Sequence, residues 1–494
     1  MRRFLVVSMV CVMALAIAAP TFALEVKFGG LWRTRLISQH DFVNATAGET
    51  RDNTDQFSSV PYMKHANRID QRLRIYMDFI SSENLKVVTR FETNASWGAA
   101  GRTNPDRVVT SSGSGNIGAD SGALVVKNAY VDFKIPQTPL QAKIGVQGLD
   151  LLDGWLVNDD FSAATLTADL KPFNVMLGYI AGYNQDDMTE TENIDDLLAV
   201  VSYKEGPFSA SLMGLWQDAH DNGGSVFPMM MSTPYRVIDT VGGTVKDPLG
   251  NTWLVENNQL FNLGLNLRYK IDYLSAYFNF IKNFGSVKLG DRRDQMESFD
   301  YTGWMLDGGI NYFCGPWSFN LGGFYTTGQK YTNLVNDEGE ITFDKGTDLD
   351  WFTYAMAGPS KVFSEIVGGG LFDNYIPNGG FWMGYPNPTN IWTVNAGAAW
   401  QALPKTKLAL AWYYFGTSEK VPSRINPNGT VDFDNYLGNE INLNITQNIV
   451  DKLNLDLVGA YMFTGDAYRL KNANSPHDHS DSVYELGARL QWTW

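Results

Sequence analysis

Apolar and polar residues alternate along much of this chain with a period of two. Near the C-terminus, Tyr484, Leu486, Ala488, Leu490, Trp492 and Trp494 take every second position, with Glu485, Gly487, Arg489, Gln491 and Thr493 between them. One face is greasy and the other small or polar, which is the pattern of a β-strand. The same pattern recurs upstream. Ile69, Leu73, Ile75, Met77 and Phe79 alternate with Asp70, Arg72, Arg74, Tyr76 and Asp78. Leu263, Leu265, Leu267 and Tyr269 alternate with Gly264, Asn266 and Arg268. Leu437, Ile441, Leu443 and Ile445 alternate with Asn442 and Asn444, and Leu453, Leu455 and Leu457 with Asn454 and Asp456. In a soluble sandwich the apolar face meets a core and the polar face meets water. In a membrane barrel the apolar face meets lipid and the polar face a wet lumen, and the cost of charge in lipid sorts the two cleanly.

Turn spacing turns these strands into an architecture. Tight turns fall at Ser81–Asn84, Pro136–Pro139, Leu170–Phe173, Lys204–Pro207, Lys270–Tyr273, Cys314–Trp317, Leu403–Thr406 and Val450–Lys452. Between them lie longer polar segments, at 39–66, 98–122, 148–160, 184–195, 218–257, 284–300, 329–390, 417–434 and 466–481. Eight short turns and nine long loops join eighteen strands, with sixteen as the alternative count. The expectation is an all-β, transmembrane, antiparallel up-and-down β-barrel with short periplasmic turns and long extracellular loops. Trp32, Trp97, Tyr179, Trp216, Tyr273, Tyr312, Trp317, Trp400, Trp412 and Trp492 fall near strand ends. An interfacial girdle needs aromatics there, and ordinary core aromatics are the alternative.

The N-terminus reads as an address. Met1-Arg2-Arg3 is basic, Phe4–Ala19 is apolar, Pro20 breaks the run, and Thr21-Phe22-Ala23 puts small residues at the cleavage positions. Residues 1–23 are therefore expected to be a cleaved signal peptide and 24–494 one barrel domain. Cleavage removes Cys11 and leaves Cys314, so neither an internal disulfide nor a Cys-based metal cluster is expected. It also removes Arg2 and Arg3, so the 38 basic residues fall to 36 against 53 acidic ones and the net charge goes from −15 to −17. That balance argues against nucleic acid as a partner. The 47 Gly beside 14 Trp, 23 Tyr and 28 Phe are unlike a disordered or a helical chain.

A strand ending on Trp494, with Leu490 and Trp492 at alternate positions behind it, resembles the C-terminal signature of outer-membrane β-barrel proteins. The resemblance implies that the barrel-assembly machinery reads this strand. An eighteen-strand barrel is too wide to fill with its own side chains. The first strand, Glu25–Ser38, starts directly after the signal and leaves no room for a plug domain, which favours a diffusion channel. The inward positions of the first strands are basic: Arg33, Arg35, Arg68, Arg72, Arg74, Lys86 and Arg90, joined by Arg489 from the last strand. The chain resembles the general porins in this, where a basic ladder faces carboxylates across a constriction and creates a transverse field. The alternative is that the arginines pair locally with Asp70, Asp78 and Glu92 and stiffen the wall. The third loop, where such porins carry constriction carboxylates, spans Gly148–Asp160 here and offers Asp150, Asp153, Asp159 and Asp160. Leu149, Leu151, Leu152, Trp155 and Leu156 make it greasier than the type, so a hairpin cap is the alternative. The seventh loop, 329–390, holds a candidate short helix at Pro359–Val367, then Gly368–Gly370 and a run of aromatics. So apolar a loop is expected to fold inward, cap the mouth or latch a neighbouring subunit, and the fifth loop, with Phe227 and Met229–Met231, is a second candidate.

Other chemistry is thin. His477-Asp478-His479 with Asp481 is a weak divalent-metal motif, and the clusters at Asp337–Glu340 and at Asp186, Asp187 and Glu190 lack the spacing of a calcium loop. All five histidines fall in expected loops, and no hydrolase, zincin or P-loop motif occurs, so neither an enzyme nor a cofactor is expected. The expectation is an outer-membrane porin for small hydrophilic solutes and ions, with a basic inner wall favouring anions. The resemblance also implies a homotrimer in contact with outer-membrane lipid and lipopolysaccharide. Two alternatives stand beside it: a substrate-specific channel, similar to the sugar porins or the carboxylate-selective porins, and a surface adhesin or structural barrel with a closed lumen.

Overall fold

The computed structural model describes residues 24–40, 65–97, 124–184, 193–220, 240–241, 244–246, 252–291, 296–335, 341–343, 348–353, 361–371, 389–425, 430–468, 471–472 and 482–494. Eighteen long strands form the wall. They are β1 (Glu25–His40), β2 (His65–Ser82), β3 (Leu85–Ser96), β4 (Val125–Lys134), β5 (Leu140–Leu151), β6 (Val157–Leu170), β7 (Phe173–Asn184), β8 (Asn193–Glu205) and β9 (Phe208–His220). There follow β10 (Thr252–Ile271), β11 (Leu274–Asp291), β12 (Trp304–Cys314), β13 (Trp317–Thr326), β14 (Trp392–Leu403), β15 (Thr406–Ile425), β16 (Val431–Val450), β17 (Leu453–Thr464) and β18 (Ser482–Thr493). Each pairs antiparallel with the next, and β18 pairs with β1, Leu31 opposite Thr493 through His40 opposite Tyr484, so the sheet closes on itself. Closure removes the unpaired edges that would otherwise face lipid. No helix among the described residues is long and apolar enough to cross a membrane.

The period-2 sorting follows from this closure. Phe28, Leu36, Ile144, Leu177, Leu212, Leu321, Leu410 and Leu486 point outward and are largely exposed. Arg35, Gln39, Asp70, Asn262, Asn283 and Glu485 point inward and are buried. An outward apolar belt with polar groups inside suits lipid as the outer solvent. Aromatics stack at the short-turn end of the belt, where Trp317 lies flat on Trp400 with centroids 5.3 Å apart. The tight turns at the eight expected places connect the strands.

At the long-loop end the strands outrun the sequence pattern. Expected loop 284–300 is strand on β11 as far as Asp291, and Met296–Tyr301 folds back to pair with it. Expected loop 417–434 is mostly the tall β15–β16 hairpin. Above the lipid zone an outward face needs no apolar residues, so Ser418, Glu419 and Lys420 break the alternation without breaking the strand. For the same reason His40, His65 and His220 belong to strand ends, not to loops. Leu437 also departs from the outward register. Gly438 has φ +143° and makes a bulge that turns Leu437 into the barrel, where it is buried.

Candidate functional site

The inner face is chemically divided. On β18, β1, β2 and β3 the register sets Arg33 opposite Arg72 and Gln491, and Arg35 opposite Asp70 and Arg489. Arg68, Arg74, Lys86 and Arg90 stand on the same face. Most of these cations have a carboxylate within reach. Arg35 holds Asp70 through two bonds of 2.9 and 2.8 Å, and Arg68 lies 3.5 Å from the same acid. Arg74 and Arg72 share Glu92 at 2.6 and 3.4 Å. Arg90 meets Asp78 at 2.6 Å, Lys86 meets Asp132 at 3.4 Å, and Arg489 meets Asp456 at 2.9 Å. Local pairing and a cationic surplus therefore coexist: among the described residues seven of the eight cations meet five carboxylates. The side chains of Arg72, Arg74 and Lys86 remain 24%, 33% and 40% exposed although they point inward. Solvent space adjoins this part of the wall.

From β7 round to β15 the inner face mixes buried apolar residues with buried polar ones such as Asp196, Gln217, Asn262 and Asn283. Ile180, Leu215, Leu260, Ile281, Met305 and Phe415 point inward and are completely buried. Two loops cover them. The third loop is only residues 152–156, because β5 runs to Leu151 and β6 starts at Val157. It turns into the lumen on the left-handed residues Leu152 and Asp153, which puts Trp155 and Leu156 out of solvent. Its greasy composition is thus that of a segment packed on an apolar wall, not of a cap in water. Asp153 is paired with Arg268 of β10 and accepts from Asn279 at 3.0 Å. The Trp155 indole N–H donates to Asp307 of β12 at 2.7 Å.

The seventh loop supplies the second cover. Trp351 and Phe352 are buried, and Thr353 exchanges two hydrogen bonds with Asn283 of β11. Residues 361–371 then cross the lumen. Lys361 meets Asp307 at 3.3 Å and lies over the Trp155 ring, which ties the two loops together. Phe363 packs edge-on against Phe324, with centroids 4.8 Å apart. The far end reaches the other wall, where Leu371 packs on Ile37 of β1 and Val458 of β17. The described part of Pro359–Val367 is not the expected helix. The N–H groups of Ile366 and Val367 donate to the Glu440 carboxylate of β16 instead of to carbonyls four residues back.

The expected constriction carboxylates are scattered by this geometry. Asp153 faces the β10–β11 wall, Asp160 is held by Lys127 at 2.7 Å and Asn128 at 2.6 Å, Asp159 lies 4.0 Å from Lys127, and Asp150 is exposed opposite Asn158. Their partners among the described residues are Lys127, Asn128, Arg268 and Asn279, and the seventh-loop acid that approaches Arg489 is Glu365. Glu365 accepts from the Leu371 N–H at 2.7 Å and lies 3.4 Å from the Asn444 amide. Burial pushes its carboxyl above the ordinary range, while the Leu371 and Asn444 bonds and the nearby charge of Arg489 pull it back. Sequence spacing gave no signal for Glu365; the only hint was its place beside Gly368–Gly370. Leu490, Trp492 and Trp494 lie on the outward face of β18, and Trp494 continues the pairing onto Gly30. Phe227, Met229–Met231, the acidic clusters at 186–190 and 337–340, and His477 to Asp481 lie outside the described residues. Among the described residues no group of three metal-ligating side chains forms.

No protein-family model matches the sequence, and no curated protein matches it. Solved structures do. The chain is similar to Acinetobacter baumannii OccAB1 at 13% identity, over 95% of this chain and 96% of that chain, with a TM-score of 0.50. The fold is that of an outer-membrane porin. Similarity extends to Pseudomonas aeruginosa OccK9 (OpdG), at 10% identity, 95% and 98% coverage and a TM-score of 0.49. A BenF-like porin from Pseudomonas fluorescens Pf-5 matches at 9% identity, 95% and 98% coverage and a TM-score of 0.47. The outward apolar belt suits a lipid surround.

Proposed function

We propose that this barrel is an outer-membrane channel whose passage runs along β18, β1, β2 and β3 and favours small anionic solutes. The observation that carries the reading is the division of the inner face. The β7 to β15 side is packed against the third and seventh loops, and the cationic side keeps Arg72, Arg74 and Lys86 in contact with solvent. The surplus of cations over paired carboxylates attracts anions, and low-dielectric walls focus that field. On the same reading, residues 1–23 are removed on export, β18 with Leu490, Trp492 and Trp494 is read during assembly, and three copies associate among lipid and lipopolysaccharide. The test is reconstitution in a planar bilayer under a salt gradient. Stepwise ohmic conductance with an anion-leaning reversal potential is expected, and neutralising Arg33, Arg72 and Arg74 together should move that potential toward zero. A folded barrel without conductance would refute the channel.

A second reading has its own support. Two loops folded into the lumen narrow it, as a channel for a particular solute class requires. Flux that saturates with solute concentration would mark such a channel, and flux linear in concentration would mark simple diffusion.

A further inference from the structure

Glu440 has no exposed surface. It stands on the lumenal face of β16, opposite Tyr413 of β15 and Met462 of β17. A carboxylate in such surroundings is costly unless its oxygens are well supplied with donors. Three donors come from one turn of the seventh loop. The Ile366 N–H donates to Oε1 at 2.8 Å, and the Ser364 hydroxyl and the Val367 N–H donate to Oε2 at 3.0 and 3.1 Å. Bonds of this kind to an ionised oxygen are about twice as strong as neutral ones. The turn is closed by the Gly370 N–H donating to the Ser364 carbonyl at 2.7 Å. Gly370 has φ +44°, and a side chain there would strike the Glu365 carboxylate. Glu365 thus sits between Ser364 and Ile366, two of the residues that Glu440 grips, and it reaches toward Asn444 and Arg489.

We propose that Glu440 is a positioning residue: it pins the 364–367 turn to β16 and thereby fixes the charge of Glu365 beside the cationic wall, so that it sets the selectivity of a channel it does not line. The selectivity half of this statement rests on the channel reading above. The pin itself does not, and it can be read separately.

The experiment uses the full-length barrel folded in detergent and then in bilayers, as wild type, Glu440→Ala, Glu365→Gln and the double variant. Hydrogen exchange reads the pin. In Glu440→Ala the amides of Ile366 and Val367 should exchange about tenfold faster or more, with the amides of β16 unchanged. The reversal potential in a salt gradient reads the consequence. Glu440→Ala and Glu365→Gln should each shift it toward anions, and the double variant should shift it no further than the larger single change. A merely structural glutamate would give independent, additive shifts. Should Glu440→Ala fail to fold, Glu440→Gln keeps the size, still cannot accept from all three donors, and is read in the same two ways. Unchanged exchange at Ile366 and Val367 overturns the pin. Additive reversal shifts overturn the positioning of Glu365. A folded wild type that does not conduct overturns the channel reading and the selectivity role with it, while the exchange measurement still decides the pin.

Discussion

Glu365 is the ionisable group whose state should matter most to a passing solute. The charge that acts on it is that of Arg489, which favours its ionised form. Because burial raises its protonation range, it takes up a proton at a higher pH than an ordinary glutamate. As pH falls from neutral, one negative charge beside the wall is therefore lost while the arginines keep theirs. The channel should become more anion-selective as the solution is acidified, beginning above the usual carboxylate range. Reversal potentials recorded across a pH series check this, and Glu365→Gln should flatten the response. A wild-type profile that stays level through the weakly acidic range would contradict it.

At the scale of an element, the third loop is held to the wall by one tryptophan. Trp155 is completely buried, donates to Asp307, lies under Lys361 and meets Phe324 edge-on at 4.9 Å. A buried Trp→Ala change costs about 3–5 kcal/mol when it opens a core. Here the apolar contact is between a loop and a wall already closed by its own hydrogen bonds, so the loss falls on the loop. Trp155→Ala should raise single-channel conductance while leaving the temperature of barrel unfolding within a few degrees of wild type. A large fall in that temperature with unchanged conductance would place the tryptophan in the barrel's own stability instead. The element also shows what the sequence made legible. Strand count and turn positions follow from period-2 alternation and turn spacing and could be read directly. The covered half of the lumen could not. Met176, Ile180, Leu198, Val200, Met213 and Leu215 are apolar on the inner face of strands that are apolar outside as well, so they erase the alternation that marks a face. Nor does any local signal join Trp155 to Asp307 or Ile366 to Glu440, because those partners are 152 and 74 residues apart in the chain.

Closure is the property of the whole molecule, and it depends on one small residue at the seam. Trp494 donates its N–H to the Gly30 carbonyl at 3.1 Å and accepts from the Gly30 N–H at 3.3 Å, which extends the β18–β1 ladder to the last residue. Its ring lies over Gly30. A Cβ at position 30 would come within 2.2 Å of that ring and 2.6 Å of the Arg74 carbonyl oxygen on β2. The ring can rotate away, but the carbonyl belongs to a paired backbone on the other side of β1 and cannot. Gly30→Ala should therefore strain both ladders of β1 at once, and since a barrel has no spare edge, the strain acts on closure itself. Gly459 on β17 is the comparison, because a Cβ there meets nothing nearer than Leu486 at 3.4 Å, an ordinary contact. In a heating series read by electrophoretic mobility of the folded band, Gly30→Ala should lose that band at a clearly lower temperature than wild type, and Gly459→Ala should match wild type. Equal behaviour of the two variants would mean that the seam yields more easily than the register of β18, β1 and β2 implies. A Gly30→Ala barrel that assembles poorly yet melts normally would locate the need for glycine in closure during assembly, where the terminal strand must slide past β1 with its aromatic ring in place.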